Sequence, residues 1–277
     1  MKKKNKLILG FDIGGTKTSL ILGDSEGNII KKTTFPTLAQ NGFKKSYKNI
    51  INNAHAFIDN IKDNKFRYDL ISVSIGGPLK IEEGIILNPP NLPGWNKIPL
   101  KKLFEEEFKK PCFIEHDGNA GALAEYYFGA GKGYKNIIFL TMGTGIGAGI
   151  IIDGKIYRGS TDSAGEVGHI RIAEDGPLVY NKKGSYESYA SGSGIAKLAN
   201  YYYPKKYKKN VTAKEVIEDF FNGSKEAKFI INLSAKYLGR GLAILADILN
   251  PEIIIIGSLA VRMGKSLLNP ALKEMKK

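Results

Sequence analysis

The chain has 277 residues, 43% of them hydrophobic, which is enough for a packed core in one large or two medium domains. Its formal net charge of +14 is carried by lysines in short scattered groups such as Lys2–Lys4, Lys101–Lys102 and Lys205–Lys206. With no arginine-rich helix, zinc finger or helix-turn-helix ahead of the first strand, this reads as a solvated basic surface and not as a nucleic-acid site. The single cysteine, Cys112, excludes a disulfide within the chain and points to the cytoplasm; in the apolar stretch CFI it reads as a small buried hydrophobe. The basic, then apolar N-terminus is interrupted early by Asp12 and Lys17, so neither a signal peptide nor a bilayer-length run is read.

In chain order, Lys6–Asp12 is predicted as a buried strand, Thr18–Gly23 as its returning partner and Asn28–Phe35 as a third strand. Tyr47, Ile50, Ile51, Ala54, Phe57, Ile58 and Ile61 recur at helical spacing, which predicts a helix over Phe43–Ile61. A strand at Leu70–Ile75 ends in Gly76-Gly77-Pro78. The proline-punctuated stretch Gly84–Pro99 reads as a long loop. A short helix follows at Leu100–Lys109, then a strand at Cys112–Glu115 and a helix at Asp117–Phe128.

The opening pattern then returns. Strands at Asn136–Leu140 and Ala148–Ile152 flank TMGTGIG, and a shift of about 129 positions carries Gly14 onto Gly143 and Thr16 onto Gly145, as in a duplicated unit. Beyond it lie a loop at Glu174–Gly184, a helix from Ser193, a helix opened by the capping box Thr212-Ala-Lys-Glu215 and a long helix over Ser224–Leu249. A buried strand at Glu252–Gly257 and a last helix near Arg262–Lys276 complete the chain. Strands alternate with helices in both halves, which predicts an α/β fold of two lobes with a central cleft, residues 1–117 and 118–277.

The glycine hairpins carry the chemistry. Gly14, Gly15 and Thr16, and Gly143, Thr144 and Gly145, lack bulky side chains, so backbone N–H groups can approach phosphate oxygens closely. On this reading Gly145→Val is expected to block nucleotide binding. Asp12 ends a buried strand, where a carboxylate costs several kcal/mol unless it is compensated. A hydrated Mg²⁺ on a nucleotide would neutralise it. Two rival phosphate motifs fail on context: Thr16 interrupts a Walker-like loop, and a strand rather than a helix follows both GGTK and GTGIGAG.

The stretches DIGGTKTSLIL, PPNLPGW, EHDGNAGALAE, TMGTGIGAGIIIDG, AGEVGHI and ESYASG resemble the ROK family of sugar kinases and regulators, in the actin-like ATPase (ribonuclease H-like) superfamily. The resemblance runs from Leu7 to about Leu268. It implies transfer of the γ-phosphoryl group of ATP to a hexose hydroxyl, with Asp117 as general base. A carboxylate there can take the proton lost as the P–O bond forms, while alignment and charge stabilisation do the rest. Taken alone, Asp117 also reads as a helix N-cap. By the same resemblance Asp12, Lys17 and the two hairpins face Mg-ATP, Gly257 and Ser258 lie near the adenosine, and Gly76, Asn91, Asn119, Glu166, His169 and Glu187 face the sugar. Trp95 is read as core filler between the lobes in preference to a sugar-stacking ring.

Three departures from the family pattern stand out. Many members hold a structural zinc with the GH histidine and three cysteines. Here the cysteine positions hold Leu178, Tyr180 and Ser185, so no zinc is expected and the loop must be ordered otherwise. His116 stands where the family usually has Asn before the base, which leaves the hexose open between glucose, an N-acetylhexosamine and fructose. It reads as a hydrogen-bonding spacer on the sugar side. The family's final helix is expected to be missing after GSLAVRMG, which bears on activity. Family regulators carry a DNA-binding domain before the first strand, where six residues stand here, so a kinase is expected over a sugar-sensing protein. A homodimer is expected from the family alone.

Overall fold

The computed structural model describes residues 6–63 and 66–277, which leaves the Lys2–Lys4 group outside the described residues. The chain forms two compact units: Met1–Gly129 with Arg158–Ala164, and Ala130–Tyr157 with Gly165–Lys277.

The first unit contains β1 (Leu7–Ile13), β2 (Lys17–Asp24), β3 (Ile29–Pro36), α1 (Gly42–Asp63), β4 (Leu70–Ile75), β5 (Leu79–Lys80), β6 (Ile85–Leu87), β7 (Asn96–Ile98), α2 (Leu100–Phe108), β8 (Cys112–His116) and α3 (Asp117–Phe128). Its main sheet has the order β3-β2-β1-β4-β8. The first three strands form an antiparallel meander, and β4 and β8 then add parallel to β1. Phe11, Ile13, Val73 and Ile75 are buried in one cluster with Ile50, Ala54, Ile58 and Ile61 of α1 and with Phe104 of α2. Trp95 is fully buried in this same cluster. It donates its indole N–H to Ser46 Oγ at 3.0 Å and meets Phe43 edge-on, so it fills the core of one unit instead of a space between two. The stretch expected as a loop after Gly84 contributes two strands to a small antiparallel sheet, β5-β6-β7. Cys112 is buried, and its thiol is pushed up to about 12 by desolvation first and by Glu105 second.

The second unit contains β9 (Ile137–Met142), β10 (Ile146–Ile152), β11 (Lys155–Ile156), α4 (Tyr186–Ala190), α5 (Gly192–Tyr202), α6 (Ala213–Phe221), α7 (Lys225–Leu249), β12 (Ile253–Ile256), α8 (Leu259–Met263) and α9 (Lys265–Met275). Its sheet, β11-β10-β9-β12, repeats the plan of the first: an antiparallel hairpin with a parallel strand beside the hairpin's first member. Ile13 pairs with Thr18 across one hairpin, and Met142 with Ile146 across the other. The duplicate therefore aligns at the expected offset up to the loop, which is one residue shorter in the second copy. The capping box on α6 is complete, with Glu215 N–H on Thr212 Oγ1 and Thr212 N–H on Glu215 Oε2.

Two expectations change. The division falls after Gly129 and not after Asp117, because α3 packs back on β4 and β8. Arg158–Ala164 returns to the same unit. There Arg158 pairs with Glu115, and Asp162 Oδ2 accepts the Ile81 N–H at 2.9 Å. In addition, α7 is long and apolar enough to cross a bilayer by length and composition, contrary to the expectation that no run is. Its Ile230, Ile231, Leu238, Leu242 and Leu245 are buried in the core of the second unit, and Ala271 of α9 lies so close that a Cβ on Gly239 would stand 2.2 Å from its carbonyl.

Candidate active site

Strand register assembles the first half of the site. Ile13 of β1 pairs with Ile75 of β4, and Ile75 with His116 of β8, in one row across three parallel strands. The next residues, Gly14, Gly76 and Asp117, therefore leave the sheet together at its carboxyl edge, the edge at which open α/β sheets bind ligands. Asp117 opens α3 but does not cap it. The cap is His116, whose Nδ1 accepts the Gly118 N–H at 3.2 Å. Accepting there places the proton of a neutral imidazole on Nε2. Asp117 Oδ1 accepts the same Gly118 N–H at 2.7 Å, while Oδ2 faces Gly76, 3.9 Å from where a Cβ would stand. His116 Nδ1 also lies 3.3 Å from Asp117 Oδ1, and a Cβ on Gly77 would strike the ring at 2.9 Å. His116 thus acts locally as cap and spacer.

Asp12 is exposed, contrary to its reading as a buried acid. Protein around it still crowds the carboxyl enough that desolvation is the largest cause raising it above the ordinary carboxylate range. The negative Asp117 raises it further, against Lys32 and Lys17. An acid whose ionisation is made costly by its surroundings and by a neighbouring carboxylate fits a divalent cation, and Mg²⁺ needs few protein ligands because it keeps its waters.

The first hairpin is fastened by Thr37, which sequence reasoning passed over. The Thr37 hydroxyl donates to the Gly14 carbonyl at 2.6 Å and so must accept from Thr18 at 2.9 Å, while the Thr37 N–H donates to the Thr16 carbonyl at 3.1 Å. In a trans peptide the next N–H points opposite each carbonyl, so the Gly15 and Lys17 N–H groups turn away from Thr37. Gly15 is bare for a reason the sequence did not show: a Cβ would stand 2.4 Å from the Asn91 carbonyl. This contact sets Asn91 beside the hairpin.

Asn119 is 1% exposed. Its Nδ2 donates to Glu115 Oε1 at 2.9 Å, and its Oδ1 is buried with no hydrogen-bond partner. Glu115 in turn pairs with Arg158 through Oε2. A fixed amide with an orphaned acceptor suits a ligand hydroxyl that donates. Glu115 was visible inside EHDGN without a role, and Arg158 gave no signal of its own.

The second unit carries the remaining candidates. The carbonyls of Gly143 and Thr144 accept from the N–H groups of Gly192 and Ser193, at 2.8 and 3.0 Å, where α5 begins. By the same peptide geometry, the N–H groups of Thr144 and Gly145 face the other way. The Gly257 N–H donates to the Leu140 carbonyl at 2.9 Å, which places Gly257 and Ser258 beside the end of β9. Ser258 holds φ 57° and ψ −109°, a conformation normally left to glycine.

Glu187, 7% exposed, rides on α4, which is anchored where the Tyr186 ring fills the notch at Gly241 and its hydroxyl donates to the Leu238 carbonyl. Glu187 Oε2 accepts the Ile146 N–H at 3.0 Å and the Tyr180 hydroxyl at 3.1 Å. A Cβ on Gly145 would lie 2.5 Å from that oxygen. Substitution at Gly145 therefore strikes Glu187, a residue expected on the sugar side. Tyr180 also stacks on His169, with centroids 4.1 Å apart, and His169 Nε2 lies 3.7 Å from Glu166 Oε2. Tyr180 and Asn181 are the two positive-φ residues of a tight Val179–Lys182 hairpin turn, at 53° and 57°. For a bulky side chain this backbone costs on the order of 1 kcal/mol.

These residues do not fit a structural zinc. Tyr180 is stacked and bonded, Ser185 caps α4 by accepting from Ser188, and Leu178 offers only hydrocarbon. Among the described residues no group of three or more His, Cys, Asp or Glu could hold a metal.

The two sheets, each a glycine hairpin with a parallel strand beside it, define the actin-like ATPase (ribonuclease H-like) fold. The chain belongs to the ROK family, whose sequence model, described as "ROK family", matches residues 8–277. It is 35% identical to a glucokinase of Halalkalibacterium halodurans, over 95% of this chain and 83% of the relative. A xylose repressor of Bacillus spizizenii is 31% identical, over 99% of this chain and 69% of its own. Among solved structures, a ROK family glucokinase from Streptomyces griseus in complex with glucose and AMPPNP superposes with a TM-score of 0.81 at 30% identity, covering 98% of this chain and 88% of that one.

Proposed function

We propose that the chain is an ATP-dependent hexose kinase with Asp117 as its general base. The observation that carries this reading is the register row that delivers Gly14, Gly76 and Asp117 to one sheet edge. There the base stands beside a loop whose Gly15 and Lys17 N–H groups turn away from Thr37, and His116, not Asp117, closes the helix. The kinship with glucokinases supports the same reading. The cytoplasm is the expected compartment and a homodimer the expected assembly.

The substrate hydroxyl would give its proton to Asp117 Oδ2 as its oxygen bonds to the γ-phosphorus. The bond from that phosphorus to the bridging oxygen breaks, and ADP leaves. Asp12 would hold the magnesium that accompanies ATP through bound water, and that ion would supply charge neutralisation on the phosphates. In the first unit Asn119 Oδ1 would accept from a sugar hydroxyl, and in the second unit Glu187 and His169 are the candidates for the same task. The N–H groups of Gly15 and Lys17 in the first hairpin, and those of Thr144 and Gly145 in the second, are each candidates to receive phosphate oxygens.

ADP release with Mg-ATP across glucose, fructose, mannose and N-acetylhexosamines tests the reading and selects the hexose. We expect hexose-dependent turnover that falls about 10²–10⁴-fold in Asp117→Asn while hexose binding persists. Hexose binding without turnover in the wild type would reject the kinase in favour of a sugar-sensing protein, the reading to which the repressor relative gives weight.

A further inference from the structure

The loop that lacks zinc ligands is not left unordered, and one side chain does the ordering. We propose that Tyr180 is a positioning residue that replaces a metal. Its ring holds His169 and its hydroxyl holds Glu187, which presets both for the carbohydrate without any ion. The proposal rests on the hexose-kinase reading of the same site.

Three observations carry it. The Tyr180 ring lies nearly parallel to the His169 imidazole, 21° between planes, so it fixes the imidazole's tilt as a coordinate bond otherwise would. Its hydroxyl donates to Glu187 Oε2, the oxygen already gripped by the Ile146 N–H. Both bonds fall on that one oxygen, which presents Oε1 as the acceptor available to a ligand hydroxyl. Finally, an aromatic residue occupies a left-handed turn position that favours Asn, Asp or Gly. Strain of this kind persists where the side chain is needed, and the needed contacts here both belong to candidate sugar residues. The neighbours have other tasks: Ser185 caps α4, and Asp175 is engaged by Lys183 and Tyr201.

The full chain carries the test. Tyr180→Phe keeps the ring and removes the hydroxyl. Tyr180→Gly removes both contacts while suiting the left-handed backbone, so the turn still forms. Hexose KM, ATP KM and kcat would be measured, with hexose affinity read separately by calorimetry and folding by thermal melting. We expect Tyr180→Phe to raise hexose KM and Kd about tenfold, the value of one hydrogen bond to a charged group, and Tyr180→Gly about a hundredfold. ATP KM should stay within about twofold, with no loss of melting temperature in Tyr180→Gly. The wild type should melt at the same temperature with and without a strong chelator. Hexose affinity in Tyr180→Phe within twofold of the wild type would overturn the proposal, as would hexose and ATP KM rising together with a falling melting temperature, or one tightly bound zinc per chain. A wild type that phosphorylates no hexose would refute the kinase reading itself, and with it this extension.

Discussion

Gly145→Ala separates two explanations of a glycine in a phosphate-loop sequence. The added methyl carbon would stand 2.5 Å from Glu187 Oε2 and 3.3 Å from its Cδ. The oxygen must retreat by roughly 0.5–1 Å to reach ordinary contact. Glu187 cannot give way freely, because that oxygen accepts from Ile146 at 3.0 Å and from Tyr180 at 3.1 Å, and such a shift carries at least one bond past hydrogen-bonding range. Losing one bond to a charged group costs about 1.5–3 kcal/mol, which corresponds to a rise of roughly 10–150-fold in hexose KM if Glu187 grips the sugar. Backbone strain adds nothing, since Gly145 lies outside the left-handed region. The N–H groups proposed to meet the nucleotide are oriented by the Gly143 and Thr144 carbonyls, which accept from α5 and which the methyl does not touch. ATP KM should therefore move by less than about threefold. Steady-state ADP release, with each substrate varied at saturating levels of the other, measures both constants. A raised ATP KM beside an unchanged hexose KM would refute the reasoning and restore the simpler view that the glycine is bare for the phosphate.

Asp12→Asn should trade function for stability. The folded pKa of Asp12 is raised, so its charged form destabilises the fold once pH exceeds that value, and the penalty fades as pH falls through the acid range. Without nucleotide or magnesium, the variant should melt above the wild type at pH 7 and level with it at acid pH, and it should bind Mg-ATP more weakly. A lower melting temperature at pH 7 would contradict this. Thr37→Val removes the hydroxyl shared by Gly14 and Thr18 inside a buried site, at a cost of about 1–3 kcal/mol, and should also loosen ATP. Unchanged melting and ATP affinity would show that Thr37 does not fasten the hairpin.

The main sheets were legible because their strands are long apolar runs between glycines, and the duplicated hairpin showed itself as a fixed offset. The small sheet β5-β6-β7 was not legible. Its strands are two or three residues long, and the prolines between Asn88 and Pro99 mask the alternation that marks a strand. Helix α4 hid for a related reason: five residues, all buried, show no amphipathic period. At the candidate site, residue types suited to chemistry stood out, among them Asp117, Glu187 and Asn119. Residues that hold them did not. Thr37 acts through a main-chain carbonyl, Arg158 reaches Glu115 across 43 positions, and Tyr180 was noticed only as a poor zinc ligand. Gly15 and Gly145 were singled out for phosphate, but their bareness makes room for Asn91 and Glu187, neighbours far away in sequence.

The offset that aligns the hairpins also sets Asp12 opposite Thr141 and leaves the second loop one residue shorter. The two copies are thus unequal: one carries an anionic group suited to a cation, and the other only a neutral hydroxyl at the matching position. An engineer seeking to build an equivalent acid site in the other copy would have to supply both an acid at 141 and an extra link in the turn, because neither change alone reproduces the spacing of the first copy.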